Sequence, residues 1–436
     1  MNKDEGLVRV VGVRGLTAAM INYTVGSGIF VLPALVAGVV GGAAPVIYLV
    51  CAVAMGCVVA CFAAAGSRVS TSGGTYGYAE AAFGPFAGFI VATSLFMTCI
   101  LAGAAVMTAF IGTLGKISPV LAAPYAKFAI ITVIYAVLTI VNIRGVKLGS
   151  ALVQTVTAAK LIPLLILVGV GVFFIHPHNL AWPGMPSSSQ LARTSTMLIF
   201  AFMGTEGAIC SSGEVCNPSR TVPRSILLGL TSVAILYIAI QVVAQGVLGP
   251  DLAVETKAPL AAAAKQILGS GGAMLMLVGA SISMLGYIVG DVLAAPRVLF
   301  ALGRDRLLHG SLASIHPVHK TPHVAIMVYS AICLLLAVTS TFETLLVLAV
   351  LSALIVYFIC CLATIALQRR DVRMEGAEPL VLPGGPLIPL IAAAIIVWLM
   401  TSSTQKEFLA MGAMLVVEII LYLFVRARPV VVPTPS

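Results

Sequence analysis

Repeated apolar runs, each about as long as a membrane is thick, constrain this sequence more than any other feature. Hydrophobic residues make up 60% of the 436 residues and charged residues only 9%, whereas an average soluble domain is about a quarter charged. A run of about 20 apolar residues is the length that an α-helix needs to cross the hydrocarbon core of a bilayer. The sequence therefore predicts an all-α integral membrane protein.

Charged residues, prolines and glycines divide the chain into twelve apolar runs, each interpreted as one transmembrane helix. The predicted spans are residues 12–39, 43–66, 83–113, 126–143, 150–175, 193–213, 225–248, 268–303, 322–341, 343–366, 384–401 and 406–426. The segments between them are too short to house an enzymatic domain. The tail, residues 427–436, is rich in proline and is predicted to be disordered.

Lysines and arginines fall mostly on one side of these predicted spans. With a cytoplasmic N-terminus (residues 1–11), seventeen of the 24 Lys and Arg residues lie in the cytoplasm and six outside, and Lys160 lies within a span. Since an excess of basic residues marks cytoplasmic loops, both termini are predicted to be cytoplasmic, in a multi-pass protein of the plasma (inner) membrane. This arrangement explains the net charge of +9 without a nucleic-acid partner.

The positions of cysteine and histidine argue against a metal site. Nearly all of the nine cysteines lie in apolar runs, where thiols behave as small apolar groups, and no spacing resembles a zinc site. The six histidines all lie in predicted loops. The sequence therefore predicts no cofactor and no enzymatic activity.

Two of the spans are interrupted by residues that disfavour a helix. Gly26, Ser27 and Gly28 interrupt the first span, and the run from Gly204 to Gly207 interrupts the sixth. Unwound backbone inside a bilayer is tolerated only beside a cavity or within protein. Paired interruptions at matching positions indicate an inverted-repeat transporter. The alternative interpretation of one such stretch alone is close helix packing through small residues.

An interrupted helix exposes groups that suit a zwitterion. The half-helix that begins near Gly28 and Ile29 directs the positive end of its dipole at the gap, which favours a carboxylate. The half-helix that ends between Phe200 and Met203 offers free carbonyl groups to an ammonium group. Together the two interruptions predict a site for the backbone of an α-amino acid.

Four ionisable residues lie at membrane depth, where each charge costs at least about 2.5–3.5 kcal/mol. Glu206 is predicted either to take and release a proton or to hydrogen-bond the unwound first span. Lys160 is predicted to occupy the place of a coupling sodium ion, to carry the proton itself, or to pair with carbonyl groups for stability. Asp291 either faces the substrate cavity or pairs with another helix, and Glu418 is interpreted as structural or as an oligomer contact.

Several motifs resemble those of the amino acid–polyamine–organocation permeases. They are "GSGIFVLP", "GGTYGYAEAAFGPFAGF", "FAFMGTEG", "GEVCNPSRTVPRSI" and "APRVLFALGRDRLL" followed by "KTPHVAI", in order along residues 9–370. The resemblance implies the five-plus-five inverted-repeat fold of the sodium-dependent leucine transporter, with two additional C-terminal helices. The repeats would then be residues 12–175 and 193–366, and the extra helices would occupy residues 384–426.

The same resemblance implies roles for individual residues. Substrate-binding residues would be those of the two interruptions and their flanks: Tyr23, Thr24, Gly26, Ser27, Gly28, Ile29, Phe200, Ala201, Met203 and Gly204. Phe200 would also be an aromatic gate, while Glu206, Lys160 and Asp291 would serve coupling or gating. Glu206 matches an acid implicated in proton coupling, and Lys160 matches a lysine that replaces a sodium ion.

Departures from the arginine/agmatine exchangers bear on the substrate. Those exchangers lack a lysine at the position of Lys160, have tryptophan where this chain has Phe200, and have an aromatic residue that aligns with Leu95. A neutral or small amino acid is therefore expected to fit the site. The predicted function is secondary active transport of amino acids, by proton-coupled uptake or by exchange through alternating access. The alternative is an arginine/agmatine-type or other cationic amino acid or polyamine antiporter.

Overall fold

The computed structural model describes most of the chain. The described residues are 11–69, 74–144, 150–181, 184, 186–209, 215–256, 258–305, 307–374 and 378–426. Two predicted segments lie outside the described residues: the tail 427–436 and the N-terminal segment except Val11. Six basic residues used in the charge-based topology also lie outside them: Lys3, Arg9, Lys147, Lys257, Arg306 and Arg428.

The described part of the chain is built almost entirely of α-helices. In chain order they are α1 (Val13–Thr24), α2 (Gly28–Val40), α3 (Ala44–Gly66), α4 (Thr75–Phe83), α5 (Pro85–Ile117), α6 (Pro124–Ile143), α7 (Ser150–Gly171), α8 (Ser188–Phe202), α9 (Thr205–Ile209), α10 (Pro218–Leu248), α11 (Pro259–Ala294), α12 (Pro296–Arg304), α13 (His323–Thr339), α14 (Phe342–Arg369), α15 (Leu387–Met400) and α16 (Gln405–Arg426). These residues form no β-strand, only an isolated bridge between Val11 and Val215.

The helices follow the apolar runs of the sequence. Within the described ranges, eight helical stretches are long and apolar enough to cross a membrane, and α13 and α15 are shorter apolar helices. Each predicted span overlaps at least one helix. The all-helical membrane fold is therefore confirmed, whereas the count of twelve spans and the inverted repeat stay predictions. Helix α4, which was not predicted as a separate element, precedes the long third span.

Prolines and glycines set many of the helix ends. Gly84, with a φ of +87°, ends α4, and Pro85 begins α5 directly after it. Gly249, with a φ of +58°, ends α10. Proline suits the first turn of a helix because its missing N–H would have no partner there, and glycine adopts a positive φ without steric cost.

Helices α5 and α14 form the centre of the bundle. The most apolar windows of these two helices are 89% and 78% buried, whereas those of α6 and α16 are only 17% and 11% buried. Helix α14 packs against α3, α5, α8 and α15, while α10 and α7 pack against α1. The interrupted helices therefore lie inside the bundle, and α6 and α16 lie at its lipid-facing edge.

Candidate functional site

The first helix break separates α1 from α2. Helix α1 ends at Thr24, Val25 leaves the helical conformation with φ −79° and ψ 78°, and α2 begins at Gly28. Ser27 precedes α2 but its side chain does not cap the helix. The first N–H groups of a helix have no partner within it. The start of α2 is therefore a set of donors directed into the protein interior.

Side chains from three other helices hold the carbonyl groups that this break releases. Lys160 on α7 is fully buried, and its Nζ donates to the carbonyl oxygens of Asn22 at 2.8 Å and Val25 at 2.7 Å. Tyr237 on α10 donates its hydroxyl to the carbonyl oxygen of Thr24 at 3.0 Å. Ser283 on α11 donates to the carbonyl oxygen of Val25 at 2.9 Å. Hydrogen bonds from neighbouring helices thus stabilise the first break, and an ammonium group lies at the negative end of the α1 dipole.

The second helix break separates α8 from α9. Helix α8 ends at Phe202, Met203 is extended, and Gly204 has a φ of +126°, which L side chains rarely adopt. Helix α9 begins at Thr205, and the backbone N–H of Gly204 donates to Oε1 of Glu206 at 3.1 Å. The carboxyl group of Glu206 thus stabilises the backbone of its own break.

The two breaks touch each other through their backbones. A Cβ atom built on Gly204 would lie 2.7 Å from the carbonyl carbon of Tyr23 and 2.8 Å from the nitrogen of Thr24. A Cβ on Gly28 would lie 2.8 Å from the Cα of Ala201. Only glycine permits such an approach. The structure therefore brings together the residues that the sequence predicted at the two interruptions.

Several buried polar atoms around the breaks have no hydrogen-bond partner among the residues that the structure describes. They are Oδ1 of Asn22, Oγ1 of Thr24, Oγ of Ser27 and Oγ1 of Thr205. Each residue is at most 5% exposed. A buried polar group without a partner costs roughly 1–3 kcal/mol, so four such atoms in one place suit a polar ligand that would satisfy them.

Aromatic residues frame this region. The ring of Phe200 meets that of Phe342, the first residue of α14, edge to face with centroids 5.9 Å apart. The ring of Tyr287 lies in van der Waals contact with the place where a Cβ of Gly26 would be. Tyr357 on α14 donates its hydroxyl to Oε2 of Glu206 at 3.0 Å. Phe200 therefore packs against an aromatic residue of a separate helix.

Asp291 and Glu418 lie against other helices. The hydroxyl of Tyr329 on α13 donates to Oδ2 of Asp291, and a Cβ on Gly103 of α5 would collide with the same oxygen. Ser94 on α5 donates to Glu418 of α16, at 3.1 Å from Oε2. The structure thus gives Asp291 a partner on another helix and joins α16 to the centre of the bundle through Glu418.

Sequence reasoning did not single out the neutral partners of the breaks. Tyr237, Ser283, Phe342 and Tyr357 are isolated polar or aromatic residues in apolar helices, and none carries a charge that would mark it. The sequence marks Tyr237, Ser283 and Tyr357 only by a hydroxyl group within an apolar run. Among the described residues, no group of three or more His, Cys, Asp or Glu residues could hold a metal ion.

Helices that cross a membrane, two of them broken where their backbones meet, are characteristic of membrane transporters. The family model described as "Amino acid permease" matches residues 11–425, so this chain belongs to the amino acid permease family. The resemblance to amino acid–polyamine–organocation permeases is thereby confirmed.

Curated relatives agree with this family. The chain is 26% identical to the methylthioribose transporter of Bacillus subtilis, over 97% of this chain and 94% of that protein. It is 26% identical to the branched-chain amino acid permease BcaP of the same organism, over 96% and 93%. It is also 26% identical to the serine/threonine exchanger SteT of that organism, over 94% of each chain. These relatives are transporters, which is consistent with the prediction that the protein is not an enzyme.

Proposed function

We propose that this protein is a secondary active transporter that moves amino acids across the plasma membrane by alternating access. The observation that carries the proposal is the meeting of the two helix breaks, where Gly28 touches Ala201 and Gly204 touches Tyr23 and Thr24. Unpartnered hydroxyl groups surround this meeting point, and family membership supports an amino acid substrate.

The breaks supply complementary groups for a zwitterion. The N–H groups of Gly28 and Ile29, at the positive end of α2, would bind the substrate carboxylate together with the hydroxyl of Ser27. The carbonyl groups at the end of α8, between Phe200 and Met203, would accept from the ammonium group. The carbonyl groups at the end of α1 are already occupied by Lys160, so they are not free for this role.

The side-chain pocket favours a neutral amino acid. Phe200, Ala201 and Met203 are apolar and buried, and they offer no counter-charge to a guanidinium or a second ammonium group. The carboxylate of Asp291 instead accepts a hydrogen bond from the hydroxyl of Tyr329. An arginine/agmatine-type antiporter, the alternative, would need Asp291 to release this partner and turn to the substrate.

Coupling is assigned to Glu206 and Lys160. Glu206 bridges Gly204 and Tyr357, so a change in its protonation would alter hydrogen bonds in the second break and in α14 at once. The ammonium group of Lys160 binds the carbonyl groups of Asn22 and Val25. Unwound backbone carbonyl groups of this kind coordinate Na⁺ in other transporters, and here the ammonium group takes that place. We therefore propose protons as the coupling ion, in proton-coupled uptake or in amino acid exchange.

The substrate class is tested by ligand-induced thermal shift of the purified protein. The panel is the twenty amino acids, agmatine, putrescine and methylthioribose. A ligand that binds only the folded protein raises its melting temperature by mass action. Stabilisation by neutral amino acids supports the proposal and selects the radiolabelled substrate for uptake into proteoliposomes. Stabilisation by agmatine or putrescine alone supports the alternative, and stabilisation by methylthioribose alone refutes an amino acid substrate.

Ser27→Ala tests the site itself. The hydroxyl of Ser27 has no hydrogen-bond partner among the described residues, so its removal should not lower the melting temperature measured without ligand. We expect the ligand-induced shift to fall. The control is Ser281→Ala on α11, whose hydroxyl donates to the carbonyl of Leu277 on its own helix. Equal shifts in both variants would remove Ser27 from the site.

Glu206→Gln tests proton coupling. We expect the variant to lose pH-dependent uptake while retaining part of the exchange that occurs under counterflow, because glutamine keeps the shape but cannot release a proton. Glu343→Gln, at an exposed acid in the first turn of α14, is the matched control. Uptake by Glu206→Gln with the pH dependence of the wild type would refute the coupling role.

The proposal includes twelve spans, of which ten form two inverted repeats of five and two are additional C-terminal helices, with both termini in the cytoplasm. Single cysteines placed at Lys127, in the first turn of α6, and at Arg369, at the end of α14, would be labelled from opposite sides by an impermeant thiol reagent. Labelling of both from the same side would refute this topology.

A further inference from the structure

An apolar groove lies between α3, α8 and α15, outside the meeting point of the two breaks. Its volume is about 360 Å³, which falls within the range of about 300–1,000 Å³ that is typical of ligand pockets. Its walls include Val50 and Ala54 of α3, Ile199 of α8, and Ile395 and Trp398 of α15. A groove of this size and character would take a long apolar group.

The mouth of the groove opens to the bilayer. Leu49 and Val53 flank it on α3 and are 52% and 62% exposed. Helix α3 belongs to one of the stretches long and apolar enough to cross a membrane. The medium that reaches these side chains is therefore hydrocarbon. An empty groove would forfeit the dispersion contacts of its walls, so an acyl chain has a reason to enter it.

One polar group distinguishes this groove from an ordinary lipid-facing surface. The hydroxyl of Ser195 is 3% exposed and lines the groove, and among the described residues it has no oxygen or nitrogen partner. The thiol of Cys51, which donates to the carbonyl oxygen of Ser195 at 3.8 Å, is the weak polar group beside it. Its neighbour Thr196 places its hydroxyl 3.5 Å from the carbonyl oxygen of Leu399, so Ser195 lies level with the end of α15. Trp398 is at the same level, and tryptophans concentrate at the membrane interface, where lipid ester groups lie.

The inner end of the groove stops at the transport machinery. Next to the groove, with Ala54, Ile199 and Ile395 in both linings, lies a separate void of about 10 Å³ beside Tyr357, which is no more than about one water molecule requires. A chain in the groove would therefore end against Ile199. That residue precedes Phe200, and Tyr357, which lines the small void, donates its hydroxyl to Glu206.

We propose that this groove binds one acyl chain of a membrane phospholipid, with the Ser195 hydroxyl donating to the ester carbonyl of the lipid. The site lies on α8, the helix whose inner end forms the second break. Bound lipid supports the wall behind Phe200 and Ile199 and so favours the closed arrangement of Phe200 against Phe342. This effect on transport rests on the proposed function, whereas the binding itself does not.

Trp398 reports binding directly. The chain has two tryptophans, so the test uses the Trp182→Phe protein, in which Trp398 is the only one left. It is reconstituted in phosphatidylethanolamine–phosphatidylglycerol vesicles in which a rising fraction of the lipid carries bromine at mid-chain. We expect quenching of Trp398 to saturate at a low fraction of brominated lipid. Quenching in simple proportion to that fraction would mean unselective contact with bulk lipid and would overturn the proposal.

A variant that fills the groove is compared with a variant of the same size change outside it. Ala54→Leu places a larger side chain in the groove, whereas Ala60→Leu makes the same change on α3 outside its lining. We expect saturable quenching to disappear in Ala54→Leu and to persist in Ala60→Leu. Ser195→Ala, a milder change, should require a several-fold higher fraction of brominated lipid for the same quenching. Equal quenching curves in all three variants would overturn the proposal, even if the protein transports nothing.

Discussion

Gly204→Ala is the change that most directly tests the contact between the two breaks. The new Cβ would lie within 2.7–2.9 Å of three backbone atoms of Tyr23 and Thr24, and backbone atoms cannot rotate away as a flexible side chain can. Gly204 also has a φ of +126°, where an alanine is strained. Strained backbone costs about 1–3 kcal/mol, and overpacking costs about 1–3 kcal/mol more.

The free energy of unfolding should therefore fall by about 2–6 kcal/mol. The assay is thermal unfolding in detergent, with and without the substrate found in the ligand panel. Gly112→Ala on α5 is the control, because a Cβ there meets nothing within 4 Å. Alanine at such a helical position should stabilise the protein by up to about 1 kcal/mol. A Gly204→Ala protein as stable as wild type, with an unchanged ligand shift, would refute the contact.

Three further changes probe the surroundings of the site. Lys160→Met should lower the free energy of unfolding by about 1–3 kcal/mol, since a buried carbonyl loses its donor; a melting temperature equal to that of the wild type would contradict this. Phe342→Ala removes an aromatic contact to Phe200 that is worth about 0.5–1.5 kcal/mol. The rate of exchange in proteoliposomes should therefore change roughly 2- to 10-fold. An unchanged rate would mean that the two rings do not act as a gate. Ser94→Ala should destabilise the protein far less when Glu418 is already leucine, which cannot accept the hydrogen bond; additive losses of melting temperature would show that the two groups do not interact.

The fold was predictable to the extent that the bilayer dictates it. Apolar runs and their flanking charges indicate helices because lipid offers no partner for exposed backbone. Helix α4 and the kink at Gly269, where φ is +68°, were not predicted, because each depends on how neighbouring elements pack rather than on hydropathy.

The candidate site was predictable at its glycines and charges. Gly28 and Gly204 stand out because helix-breaking residues in an apolar run need an explanation. Lys160 stands out because a charge in an apolar run needs one too. Tyr237 and Ser283 gave no such signal, since a single hydroxyl in an apolar helix has many structural uses. Their role follows only from the position of the carbonyl groups that they hold.

The supported first break also has a consequence for how the protein is made. Helix α1 is synthesised early, yet its terminal carbonyl groups depend on Lys160, which lies 138 residues after Asn22. Tyr237 follows its acceptor by 213 residues and Ser283 by 258 residues. During synthesis the first span therefore enters the membrane before any of its partners exists. A continuous helix is the state that satisfies its backbone at that stage, so the break forms late, when the later helices assemble around it.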